Sequence, residues 1–226
     1  MIRFCLFLLL AFVPTVSFCI DTVRHEVLLK TSEGDIVISL YNETPRHRDN
    51  FLKLVKSGWY DGQLFHRAIK GFMIQTGDSA SRHAVPGQTL GVSAETYTIP
   101  AEIRYPQFFH KCGAVAAARE GDASNPQRAS SMSQFYIVYG QKYTDASLDK
   151  VQETLDKRTG GKVKLSPDIR DVYKTQGGAP SLDGQYTIFG EVVRGLDVVQ
   201  AIQNSETDSN SRPLKDVRII KATVIK

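Results

Sequence analysis

Short apolar stretches that alternate with polar residues, each ended by Gly, Pro or Asn, most restrict what this chain of 226 residues can fold into. Alternation gives a strand one buried and one exposed face, and frequent turns leave little room for long helices. Residues 25–30 and 35–40 are expected to form a hairpin around Ser32-Glu33-Gly34, with further short strands at 71–75, 113–118, 134–138, 186–189 and 217–224. Strands at such close intervals predict a mainly β fold, a closed antiparallel barrel.

Two helical regions interrupt this rhythm. Thr44 before Pro45 supplies an N-cap and a first-turn proline, Phe51, Leu54 and Val55 recur at helical spacing, and Gly58 suits a stop. Residues 141–180 form a polar, helix-like insertion: Thr144-Asp145 caps a helix with Leu148, Val151 and Leu155 on one face, and Ser166-Pro167 opens a second with Ile169 and Tyr173, closed by Gly177-Gly178. The insertion is expected either to cover barrel surface or to border a groove and restrict entry to it.

The N-terminus reads as an export signal. Arg3 gives a positive start, residues 4–12 an apolar run, and Pro14 a break before Thr15 and Ser17. The expected division is a signal peptide over 1–19 and one domain over 20–226, without an integral membrane span in the mature chain; anchoring as a lipoprotein through Cys19 is the alternative. Cys112 is then the lone mature cysteine, which excludes an intramolecular disulfide. A composition of 42% hydrophobic and 23% charged residues argues against disorder, and a net charge of +4 is too mild to point to nucleic acid. No His/Cys cluster has metal-ligand spacing, no glycine-rich phosphate loop opens a helix, and Ser130-Ser131 lacks a nucleophile elbow. No cofactor is expected.

The densest chemistry lies in Phe65-His66-Arg67-Ala68-Ile69-Lys70-Gly71-Phe72-Met73-Ile74-Gln75-Thr76-Gly77-Asp78. Alternation alone would place Phe72 and Ile74 on one face of a strand and Met73 and Gln75 on the other. By spacing, this is equally an ordinary barrel strand. Its Phe-His-Arg, Gly-Phe-Met and Gln-Thr-Gly-Asp elements nevertheless resemble the cyclophilin signature. The resemblance continues in order through Thr44-Pro45, Asn50-Phe51, Ser133-Gln134-Phe135-Tyr136-Ile137 and Leu182-Asp183-Gly184-Gln185-Tyr186-Thr187-Ile188-Phe189-Gly190.

That resemblance implies an eight-stranded barrel capped by helices, with an outer groove for proline-containing polypeptides, and peptidyl-prolyl cis-trans isomerase activity. It implies Arg67, Gln75 and His66 as catalytic residues and Phe72, Met73, Ala118, Gln134, Tyr136, Leu182 and Tyr186 as substrate-binding ones. Gln75 would orient Arg67, and His66 would stand at the pocket edge. Three features depart from the family pattern: Ser181 where Trp is frequent, the aromatic changes Tyr136 where Phe is usual and Tyr186 where many members carry His, and the loop Ala118-Arg119-Glu120 where Ala-Asn-Ala is frequent. Arg119 and Glu120 read as solvated loop charges. The expectation is a monomeric, exported isomerase, placed in a bacterial periplasm, that assists folding of exported proteins. A proline-peptide binding or chaperone module with little turnover is the competing reading.

Overall fold

Pairing of β-branched and aromatic segments dominates the architecture of the computed structural model, which describes residues 23–226; the expected signal segment lies outside the described residues. The elements are β1 (Glu26–Thr31), β2 (Gly34–Leu40), α1 (Pro45–Lys56), β3 (Arg67–Ile69), β4 (Met73–Thr76), β5 (Thr98–Ile99), β6 (Ala114–Ala117), β7 (Ser130–Ser131), β8 (Phe135–Val138), α2 (Asp145–Thr159), α3 (Pro167–Thr175), β9 (Ile188–Arg194), α4 (Leu196–Gln203) and β10 (Ile219–Val224). Eight strands form one antiparallel sheet in the order β10-β1-β2-β9-β6-β8-β4-β3, while β5 and β7 form a small separate pair.

The sheet curls without becoming the fully closed barrel expected from the sequence. β3 and β10 share no ladder. Their seam is held by a Leu64–Arg218 bridge and by backbone bonds from Gly62 N–H to the Ile219 carbonyl (2.7 Å) and from Phe65 N–H to the Val217 carbonyl (2.8 Å).

Alternation along the strands sorts side chains between two apolar clusters. Ile74, Val115, Phe135 and Ile137 point into the main core, where Phe51 of α1 meets Tyr60 and Phe135 at 5.2 Å and Phe189 at 5.3 Å between ring centroids. Met73, Ala116, Tyr136 and Val138 point the other way, into a second cluster bordered by Phe72, Leu182 and Tyr186. Helix α1 begins where Thr44-Pro45 predicts, but Thr44 makes no side-chain cap. The Glu102 carboxylate accepts instead from the backbone N–H groups of Arg46 (3.2 Å) and His47 (3.1 Å), placing negative charge at the positive end of the helix.

The insertion folds as two capped helices. Thr144 and Ser147 form a capping box on α2, and Ser166 accepts from Ile169 N–H at the start of α3. Leu148, Leu155, Ile169 and Tyr173 bury with Val163 and Leu165 against Tyr105 and Phe109, forming a cluster of their own. Gln176 is the last residue near helical geometry, and Gly177 at φ +85° closes α3 as expected. Gly178 serves a close crossing: a Cβ there would lie 2.3 Å from the His110 carbonyl oxygen. Among the described residues, no helix is long and apolar enough to cross a membrane.

Candidate functional site

Strand register builds the site. Arg67 on β3 pairs with Gln75 on β4, Gln75 with Tyr136 on β8, and Tyr136 with Ala116 on β6. Three functional candidates therefore lie in one row on the outer face, although they are far apart in sequence. The Arg67 guanidinium donates to Gln75 Oε1 (3.3 Å), the Gln75 amide donates to Gln134 Oε1 (3.1 Å), and the Gln134 amide donates to the Gly91 carbonyl (3.2 Å). Arg67 is half-buried, and burial draws its pKa down. A guanidinium remains charged under such conditions and needs no proton transfer to act as a donor.

Beside this row lies a cavity of about 350 Å³ lined by Arg67, Phe72, Met73, Gln75, Ala118, Arg119, Tyr136, Leu182 and Tyr186. It combines two guanidinium groups, Arg67 and Arg119, with thioether, aliphatic and aromatic walls, which suits a small apolar ring attached to a polar amide. A neighbouring cavity of about 690 Å³ shares Gln75, Ala118 and Arg119 and adds Gln134, Glu95 and the 124–127 loop. Eight of the ten residues proposed from sequence line the smaller cavity. Gln134 lines only the larger one and joins the first through its bond to Gln75.

His66 also falls outside the smaller cavity, into an adjoining one of about 190 Å³ with Arg67, Gln75, Gln88, Gly91 and Arg212. It is 4% exposed, and neither ring nitrogen has a hydrogen-bond partner among the described residues. Burial lowers its pKa to about 4; Asp78 opposes that shift, while Arg67 and Arg212 reinforce it. His66 thus stands beside Arg67 and Gln75 in the wall of a cavity adjoining the smaller one.

Two further expectations change. Gly71 adopts φ +70° and Phe72 N–H bonds back to the Ile69 carbonyl (3.0 Å), so Phe72 lies in a turn before β4 begins. Alternation therefore does not reach it, and it faces the same cavity as Met73. Gln203 of α4 accepts from Gly71 N–H (2.6 Å) and pins that turn. Arg119 is not a solvated charge: its side chain is 2% exposed, donates to the Gln185 carbonyl (2.9 Å), pairs with Asp122 and covers the Tyr186 ring at 4.5 Å. The pairing with Arg119 holds the Asp122 carboxyl below its usual pKa. Glu120 is exposed, as expected. Tyr136 places its ring in the cavity wall and its hydroxyl behind it, 2.9 Å from His110 Nε2, and burial raises its pKa well above the usual phenol value.

Among the described residues, no group of three or more His, Cys, Asp or Glu side chains could hold a metal ion. Cys112 is free and half-buried, and burial raises its thiol pKa.

The model of the cyclophilin-type peptidyl-prolyl cis-trans isomerases matches residues 26–224. A Staphylococcus aureus protein named as a candidate peptidyl-prolyl cis-trans isomerase is 30% identical over 197 residues, covering 86% of this chain and 88% of that protein. The Arabidopsis thaliana peptidyl-prolyl cis-trans isomerase CYP71 is 32% identical over 206 residues, covering 91% of this chain; the chain spans about a quarter of that relative's length. A crystal structure of a Cryptosporidium parvum cyclophilin-type isomerase superposes with a TM-score of 0.63 at 23% identity, covering 90% of this chain and 99% of that one. The same parasite protein, crystallised in the presence of the dipeptide Ala-Pro, gives a TM-score of 0.61.

Proposed function

The chain belongs to the cyclophilin-type peptidyl-prolyl cis-trans isomerase family, and on that premise we propose that it turns X-Pro bonds in the 350 Å³ cavity, with Arg67 as its key catalytic side chain. The isomerase activity is the family's; the assignment of residues rests on the geometry. The carrying observation is the register row that brings Arg67, Gln75 and Tyr136 together beside an apolar cavity.

Rotation about a peptide bond breaks amide resonance against a barrier of roughly 18–20 kcal/mol, and no covalent bond is made or cleaved. As the amide twists, the prolyl nitrogen recovers its lone pair and becomes a better acceptor. A donor held nearby then binds the transition state more tightly than the ground state. Arg67, oriented by Gln75, supplies that donor; Phe72, Met73, Tyr136 and Leu182 hold the ring, while Ala118 and Gln134 border the path of the flanking peptide. Lowering the barrier by about 7 kcal/mol accelerates rotation about five orders of magnitude, within the range that fixed donors in a dry site supply. The orientation of Arg67 by Gln75 favours turnover over mere peptide binding.

We predict that Arg67→Ala loses about two orders of magnitude in a protease-coupled proline-peptide assay, roughly 3 kcal/mol, with the fold intact. Near-normal turnover by the folded variant contradicts the assignment.

The apolar run at 4–12 ending before Pro14 supports export. In this reading the domain from residue 20 onward acts as a monomer on exported polypeptides in a bacterial periplasm. Intact-mass measurement of native protein should find a mature chain starting between residues 18 and 23. A mass that retains residues 1–12 refutes removal, and an added diacylglyceryl group on Cys19 favours the lipoprotein form.

A further inference from the structure

Four buried polar side chains connect the wall of the proposed prolyl cavity to the helical insertion. Tyr136 Oη lies 2.9 Å from His110 Nε2, and His110 Nδ1 lies 2.9 Å from Asp183 Oδ1. The same Asp183 oxygen accepts from His110 N–H (2.8 Å), and Asp183 Oδ2 accepts from the Tyr173 hydroxyl (2.7 Å). His110, Asp183 and Tyr173 are fully buried, and Tyr136 is 5% exposed. Residues 73 positions apart thus meet in one chain, with Tyr173 contributed by α3 of the insertion.

The order of pairing follows from Asp183. Asp183 Oδ1 faces His110 Nδ1 and takes the backbone N–H of the same residue, which leaves Nε2 to pair with the Tyr136 hydroxyl. The phenols of Tyr136 and Tyr173 are both held protonated by burial. The Tyr136 hydroxyl is thereby turned into the protein, and the cavity meets the carbons of its ring. The His110 ring lies parallel to Tyr136 at 6.0 Å and edge-on to Tyr186 at 6.1 Å, so it backs two walls. Asp183 directly follows Leu182, a third wall. None of residues 141–180 lines the 350 Å³ or the 690 Å³ cavity, which argues against a gate formed by the insertion itself.

We propose that Tyr173, Asp183 and His110 are positioning residues through which the insertion fixes the shape of the prolyl cavity. This rests on the reading of that cavity as the prolyl site. Removal of one member strands buried polar partners and weakens the others, because such networks act as a unit. The Tyr136 ring then loses the bond that holds its wall position and can shift, which makes the cavity fit an apolar ring less closely. The effect falls on binding of the ring in ground and transition states alike, and thus on KM more than on kcat.

The test is steady-state kinetics of Tyr173→Phe, Tyr136→Phe and the double variant on a short X-Pro peptide. Tyr105→Phe is the control, because it removes a different bond to the insertion, from the Tyr105 hydroxyl to the Lys164 carbonyl (2.6 Å). Tyr173→Phe is expected to raise KM about threefold to tenfold with kcat within about twofold, whereas Tyr105→Phe leaves KM unchanged. In the Tyr136→Phe background, Tyr173→Phe should add less than about twofold, since coupled sites are not additive. Asp183→Asn takes the place of Tyr173→Phe should that variant not fold, with the same rise expected. A wild-type KM in the folded variant, independent multiplicative effects, or an equal KM rise in Tyr105→Phe overturns the proposal. Should the cavity assignment itself be wrong, Arg67→Ala retains turnover. Should only the relay be wrong, Arg67→Ala is inactive while Tyr173→Phe keeps the wild-type KM.

Discussion

The two faces of strands β4, β8 and β6 carry opposite chemistry on the same backbone. Inward, Ile74, Ile137 and Val115 belong to the main apolar core, and their contribution is burial. Outward, Gln75 and Tyr136 stand in register one strand apart, each with its polar group bonded to a named partner. The inner face therefore carries the core, and the outer face carries the proposed site. Because successive residues serve different faces, neighbouring substitutions should have unlike consequences.

The sharpest contrast comes from the helix packed on the inner face, where α1 contributes Phe51. Phe51 is 2% exposed and meets three aromatic rings, so Phe51→Ala should cost about 3–5 kcal/mol of stability by denaturant unfolding. Turnover per folded molecule should stay near wild type. A large loss of activity in the folded fraction would break the separation of the two faces.

His66 sits at the border between them and makes stability depend on pH. Its folded pKa of about 4 lies below the unfolded value near 6.5. Between these values the unfolded chain binds more protons, so its contribution is fully present above about pH 6.5 and is lost as pH falls toward 4. The loss amounts to about 3 kcal/mol at 1.36 kcal/mol per pH unit. Unfolding midpoints of wild type and His66→Gln between pH 7 and pH 4 measure it: the wild type should lose more stability than the variant. Parallel decline would show that His66 is not the group responsible.

Local signals were enough for much of this architecture. The hairpin, α1 and both capped helices of the insertion stand where alternation, Thr44-Pro45, Thr144 and Ser166 place them. Helix α4 escaped because Leu196-Asp197-Val198-Val199 continues the β-branched character of β9, and only Gly195, at φ +87°, marks the change. Most of the features missed are long-range. The Glu102 cap reaches His47 across 55 positions, Arg119 finds Gln185 across 66, and His110 finds Asp183 across 73. No periodicity records such pairs, and Phe72 was misplaced because a turn at Gly71 resets the alternation. The cavity residues other than Arg119 were legible through family resemblance, with register explaining why they converge.

Arg67→Lys tests the central claim most directly, because it keeps the charge while removing the planar fork that Gln75 orients. The measurement is kcat/KM on an X-Pro peptide, taken alongside the thermal midpoint to verify folding. A fall of about tenfold or more, roughly 1.4 kcal/mol, with unchanged unfolding is the predicted result. Wild-type kcat/KM in the folded lysine variant would contradict a mechanism in which an oriented guanidinium, rather than positive charge alone, stabilises the twisted amide.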